Sequence, residues 1–181
     1  MNKLVLFASG SGTNVENIAQ YFSQHTKIKV VGIFSNKPDA FVLERAKKLG
    51  IPSFVFNRYD FYNSNKVLQH LRSCGADWII LAGFLWLVPG NLLEAYSNRI
   101  VNIHPALLPK YGGKGMYGNR VHNAVIDNAD KESGITIHFV NPEYDRGDII
   151  FQARCPVKPN DTAETLAQRV HQLEYEFYPK I

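Results

Sequence analysis

Short apolar runs and longer amphipathic stretches alternate along the first hundred residues. The runs at 4–8, 30–34 and 78–81, with a shorter one at 53–56, are mostly apolar over four or five residues. Runs of that length, closed by Gly, Ser, Asn or Pro, predict strands buried on both faces, as in a parallel sheet. Between them, residues 15–22, 40–49, 63–72 and 91–96 space their apolar positions three and four apart, which predicts helices. Gly50 stands where a helix C-cap would, and Gly75 follows the third helix. Strand and helix in alternation predict right-handed βαβ units.

Beyond residue 100 the rhythm changes. Residues 100–103 form a short apolar strand interrupted by Asn102. Residues 110–119 carry Gly112, Gly113, Gly115 and Gly118 and predict a mobile loop. A helix is expected over 120–127. The alternating run 136–140 and the run 149–153 are separated by a tight turn, which predicts an antiparallel hairpin. Thr162 opens a last helix reaching 177, with Glu164 favouring its first turn. No repeat or low-complexity segment interrupts this order.

Composition narrows the class. A chain of 181 residues with 45% hydrophobic positions is long enough for one domain with a real core. No apolar run is long enough to span a bilayer, and no leader peptide is expected before residue 4. Two cysteines, Cys74 and Cys155, make no disulfide framework and no zinc spacing, so a reducing cytoplasm is the expected compartment. A net charge of +4 favours anionic ligands weakly. The basic residues form no run interleaved with aromatics, so neither nucleic acid nor membrane is an expected partner.

Candidate chemistry gathers around the strand at 100–103. Asn102 and His104 are two apart and share a strand face. Pro105 and Pro109 end the strand and stiffen its exit. An amide donor and an imidazole therefore meet at a strand's carboxyl end, where open α/β sheets bind ligands. A second candidate is the turn 9–14, Ser-Gly-Ser-Gly-Thr-Asn, between the first strand and helix. It is either a plain tight turn or a cradle of backbone N–H groups for a phosphate. A dinucleotide fingerprint fails at its third glycine, where Val15 stands, and no acid follows the second strand at Ser35-Asn36-Lys37. The third candidate is the turn 143–148, with Asp145 and Asp148. Asp145 precedes Arg146-Gly147 in its irregular part, and a carboxylate there can reach another strand end. Beside His104 it would favour the imidazolium. The other histidines, at positions 25, 70, 122, 138 and 171, show no metal-ligand spacing and read as ordinary helix or strand positions. No Ser or Cys is placed as a nucleophile. An oxyanion stabilised by amide and imidazole, with the attacking group supplied by a substrate, fits the set.

These residues resemble the formyltransferases that use 10-formyltetrahydrofolate, most closely the branch acting on phosphoribosylglycinamide (GAR). The resemblance runs through residues 9–14, 35–37, 39–46 and 81–84, the segment Asn102-Ile103-His104-Pro105-Ala106-Leu107-Leu108-Pro109-Lys110-Tyr111, and 134–147. It implies a single α/β domain: a Rossmann-like, mixed and mainly parallel seven-stranded sheet with helices on both faces. A phosphate-binding half would occupy about 1–100 and a folate-binding and catalytic half about 101–181. It implies Asn102, His104 and Asp145 as the catalytic set. Gly12, Thr13, Asn14, His171 and Glu174 would hold GAR. Leu85, Trp86, Leu87, Val88, Leu93, Asn102, Val140, Asn141, Pro142, Glu143, Tyr144 and Asp145 would line the folate site. No metal is implied, and the chain would act as monomer or homodimer. Family members often carry arginine where this chain has Trp86, and near Ser64. The alternatives are another formyltetrahydrofolate enzyme (a sugar or methionyl-tRNA formyltransferase, or a deformylase) or a non-catalytic phosphometabolite-binding module. No tRNA-binding domain is expected after the last helix, nor a regulatory domain before residue 4.

Overall fold

The first strands are apolar on both faces because both faces are covered. In the computed structural model, which describes residues 1–181, β1 (Asn2–Phe7) buries Val5, Leu6 and Phe7 completely. It pairs in parallel with β2 (Ile28–Ser35) on one side and β4 (Trp78–Leu81) on the other, and β2 pairs in parallel with β3 (Ser53–Val55). Parallel neighbours need a crossover. These are α1 (Thr13–Tyr21), α2 (Val42–Leu49), and the pair α3 (Arg58–Tyr62) and α4 (Lys66–Ser73). Then follow α5 (Gly90–Ala95), β5 (Ile100–His104), α6 (Asn119–Asp127), β6 (Glu132–Phe139), β7 (Ile149–Pro156) and α7 (Ala163–Phe177). The seven strands form one mixed sheet in the order β3-β2-β1-β4-β5-β6-β7, with β6 and β7 antiparallel. No helix is long and apolar enough to cross a membrane.

Two compact units divide the chain, Met1–Val101 and Asn102–Ile181. The first is centred on an aromatic cluster. The Phe7 ring lies 5.2–6.5 Å from those of Phe34, Phe56, Phe61 and Phe84, and Trp86 packs against Phe56, Phe61 and Phe84 at 5.8–6.3 Å. Helices add apolar stripes at helical spacing: Val15, Ile18 and Ala19 from α1, and Val67, Leu68 and Leu71 from α4. In the second unit, α7 packs on the β6–β7 hairpin. Its buried stripe runs Ala163, Leu166, Ala167, Val170 and then Glu174. Thr162 caps this helix through a reciprocal pair with Thr165.

The helix expected over 63–72 is α4, and a short helix that no periodicity announced, α3, precedes it. Asn57 caps α3 by accepting from the Asp60 amide at 2.9 Å, and the Asp60 carboxylate faces the Asn57 amide in return. This box fixes a short helix start, so the chain turns again before Lys66. The five residues of α3 bring Phe61, 1% exposed, into the aromatic cluster. Truncating it removes a ring with no solvent alternative. Phe61→Ala is expected to cost roughly 3–5 kcal/mol of stability, the usual range for a buried phenylalanine. Urea unfolding checks this, and a loss under about 1 kcal/mol would show that the cluster collapses around the gap.

Candidate active site

β5 ends at His104, and alternation along it turns Asn102 and His104 to one face. The chain leaving the strand is pinned. Thr136 on β6 accepts from the Leu108 amide at 3.0 Å and donates to the Ala106 carbonyl at 2.7 Å, and Gln152 on β7 donates to the Leu108 carbonyl at 3.0 Å. Tyr111 follows with φ 56°, in the left-handed region. Its carbonyl faces the buried imidazole: His104 Nε2 lies 2.7 Å away. A carbonyl only accepts, so Nε2 carries the hydrogen. Nδ1 is then the position that titrates, and it faces Asp145 Oδ2 at 3.5 Å.

Asp145 is held in place from two sides. Gly113 N donates to Oδ2 at 2.9 Å. Gly147, two residues on, lies so close to β6 that a Cβ there would sit 1.7 Å from the Phe139 carbonyl oxygen. Only glycine lets the turn approach this closely. Asp145 itself adopts φ 55°. Asp148 is exposed, and its carbonyl belongs to the hairpin ladder through the Phe139 amide.

His138 completes the cluster, and strand alternation alone misplaces it as an outward position. It is 2% exposed. Its Nδ1 lies 2.8 Å from the Phe139 carbonyl and so donates there. Its Nε2 then accepts from Asn102 Nδ2 at 3.1 Å and stands 3.7 Å from Asp145 Oδ1. His138 thus fixes which way the Asn102 amide points and leaves its second N–H uncommitted.

The electrostatics are those of a buried pair. Burial raises the Asp145 carboxyl, but His138, His104 and the Gly113 amide outweigh it and hold the acid below its usual value. Burial pushes His104 below the usual imidazole value, more than Asp145 and the Tyr111 carbonyl restore. The expected push toward imidazolium is therefore real in sign and outweighed by desolvation. On α7, His171 Nδ1 lies 2.7 Å from the buried Glu174 carboxylate, which raises His171. His122 of α6 is also buried, with Nδ1 unpartnered and its proton affinity lowered by burial and by His171.

In the first unit, the turn 9–12 is held by its surroundings. Ser9 N donates to the Gly83 carbonyl and Ser9 Oγ accepts from Leu85 N. Val42 N donates to the Gly10 carbonyl and Arg45 Nε to the Ser11 carbonyl. Gly12 is the N-cap of α1, with φ 73° and no side-chain cap bond. A Cβ at Gly12 would meet Val42 Cγ2 at 2.3 Å, so helix packing by itself demands this glycine. Leu85 is exposed, Trp86 and Leu87 half-buried, Val88 buried, and the Arg58 guanidinium lies over the Trp86 ring at 5.8 Å. Leu93 lies on α5, and residues 140–144 lead from β6 into the Asp145 turn. No group of three or more His, Cys, Asp or Glu is placed to hold a metal ion.

What the second unit brings together is the Asn102 amide, the buried imidazoles of His104 and His138, and the Asp145 carboxylate beside them. The Formyl transferase family model matches residues 2–181, and the chain belongs to that family. It is 43% identical over 185 residues to a chloroplastic phosphoribosylglycinamide formyltransferase of Arabidopsis thaliana, covering 99% of this chain and 63% of that protein's length. It is 37% identical over 186 residues to the phosphoribosylglycinamide formyltransferase of Haemophilus influenzae, covering all of this chain and 85% of that one. Among solved structures, the phosphoribosylglycinamide formyltransferase of Anaplasma phagocytophilum superposes with a TM-score of 0.90 at 34% identity, covering 99% and 84% of the two chains.

The opposite shifts of the histidines are measurable. An NMR titration is expected to put the His104 midpoint below 6.5 and that of His171 above it. A depressed histidine binds its proton less readily folded than unfolded, so the His104 contribution to stability is present above 6.5 and lost as pH falls through its folded value. The His171 contribution has the opposite sign, present below 6.5 and lost as pH rises through its raised value. Midpoints in the reverse order would contradict the assigned environments.

Proposed function

We propose that this protein transfers the formyl group of 10-formyltetrahydrofolate to the amine of GAR, a step of purine biosynthesis. The observation that carries this reading is the buried His104, set between the Tyr111 carbonyl and Asp145 beside Asn102, in a chain that matches the family from residue 2 to 181. The amine nitrogen forms a bond to the formyl carbon, the carbon–N10 bond breaks, and the amine's proton ends on N10. Asn102 donates to the oxygen as its charge develops, and so does His104 once it carries a proton at Nδ1. His104 Nε2–H is committed to Tyr111, so a proton that His104 gives or takes moves at Nδ1, under the Asp145 charge. The chain supplies position and fixed dipoles rather than a covalent intermediate.

We assign the GAR phosphate to the first amides of α1 at Gly12, Thr13 and Asn14, where the helix end favours an anion, and its sugar side to Glu174 and His171. Leu85 to Val88, Leu93 and residues 140–145 are assigned to the folate. Two free cysteines, one of them buried, support a reducing compartment such as the cytoplasm.

Turnover with a formyl-folate donor and a panel of acceptors tests the reading. GAR is expected to support transfer, while an amino-sugar nucleotide, methionyl-tRNA and water are not. Transfer to another acceptor, or hydrolysis without one, would replace it. The phosphate assignment has its own test in Gly10, where an added Cβ meets nothing within 4 Å and φ is unremarkable. Gly10→Val therefore leaves the fold intact and crowds a ligand. It is expected to raise the KM for GAR by about tenfold or more, roughly 1.4 kcal/mol, with folate affinity unchanged. An unaltered KM would leave the turn a purely structural element.

A further inference from the structure

Asp130, in the turn between α6 and β6, has no part in the chemistry above, yet two residues of the segment that follows β5 converge on it. The Tyr111 phenol donates to Asp130 Oδ2 at 2.9 Å, and Lys110 Nζ lies 3.1 and 3.3 Å from its two oxygens. Asp130 is itself tied down, because its amide donates to the Val125 carbonyl and that of Ala129 to the Ile126 carbonyl at the end of α6.

Tyr111 is the residue whose carbonyl receives His104 Nε2–H, and it does so in the left-handed region at φ 56°. For a bulky residue that conformation costs about 1–3 kcal/mol and persists only where the surroundings over-determine it. Two residues on, Gly113 N holds the Asp145 carboxylate. The same three-residue turn therefore sets both the imidazole and the acid beside it, and its side-chain anchor is the phenol–carboxylate bond. The Lys110 ion pair is a weaker candidate for this work. Lys110 is 65% exposed, and exposed pairs contribute about 0–1 kcal/mol.

We propose that Asp130 is a positioning residue of this site, acting through the Tyr111 phenol to hold the Tyr111 carbonyl against His104. The kinetic consequence rests on the proposed role of His104, while the contact chain does not.

Three variants test it. Asp130→Ala and Tyr111→Phe each remove the phenol–carboxylate bond, and Asp130→Asn keeps an oxygen acceptor while removing the charge. In the wild type, ring-nitrogen NMR is expected to show neutral His104 as the Nε2–H tautomer. In Asp130→Ala and Tyr111→Phe, that tautomer gives way to a mixture, and the midpoint falls because the carbonyl that favours the proton is no longer fixed. Their kcat is expected to drop roughly ten- to a hundredfold, the scale for a misplaced catalytic group, with both KM values unchanged. Asp130→Asn should behave as wild type in both respects. Unchanged His104 nitrogen shifts in Asp130→Ala would overturn the proposal, whether or not melting temperature falls. So would an Asn variant as impaired as the Ala variant, which would move the role to the Lys110 ion pair. If no variant and no wild type turns over GAR, the nitrogen spectra still decide the positioning claim separately from the functional one.

Discussion

A buried imidazole between two acceptors is the constraint on which the second unit is arranged. The Tyr111 carbonyl, 2.7 Å from His104 Nε2, dictates where the neutral ring keeps its hydrogen. Burial opposes a charge on the ring, and Asp145, 3.5 Å from Nδ1, favours one. Neither effect is available in water, where the carbonyl and the carboxylate would be solvated and the ring unrestrained. The balance depends on distances of a few tenths of an ångström, so much of the surrounding chain serves to keep those distances fixed.

Each fixed point comes from a different local device. Thr136 and Gln152 pin the exit from β5. Gly147 lets the hairpin turn lie against the Phe139 carbonyl and so carries Asp145 to the histidines. His138 spends Nδ1 on its neighbour's carbonyl and Nε2 on Asn102, which turns that amide the useful way round. The first unit follows the same logic at its glycine turn, which Val42 and Arg45 of α2 support from below. Rigid strand ends and short supported turns hold reacting groups better than long loops do.

The parts legible in the sequence were those with a period or a chemical signature. Asn102 and His104 stand out because two polar residues share one face of an apolar strand, and the irregular turn around Asp145 distinguishes it from Asp148. His138 was not legible. Alternation says which side of a strand a residue faces, but Ser133 to His138 are all buried, so neither side of that stretch means solvent. Glu174 carried a readable signal of its own, an acid continuing the apolar stripe of α7. α3 is not read from the sequence, because five residues are too short for a periodicity and its one signal is the capping pair Asn57 and Asp60. The Tyr111 carbonyl and Gly113 amide leave no trace in the sequence, because every residue carries such groups and only the fold aims them.

The central claim is that Asp145, although it borders the proposed folate site, speeds transfer through its charge on His104 and not through substrate affinity. Single-turnover formyl transfer with bound GAR and formyl-folate, comparing wild type with Asp145→Asn, tests it most directly. The amide keeps the shape and can still accept from Gly113, so both substrates should bind with unchanged affinity while the transfer step slows by roughly 10² or more. A transfer rate equal to wild type, or a loss confined to substrate affinity, would contradict the account.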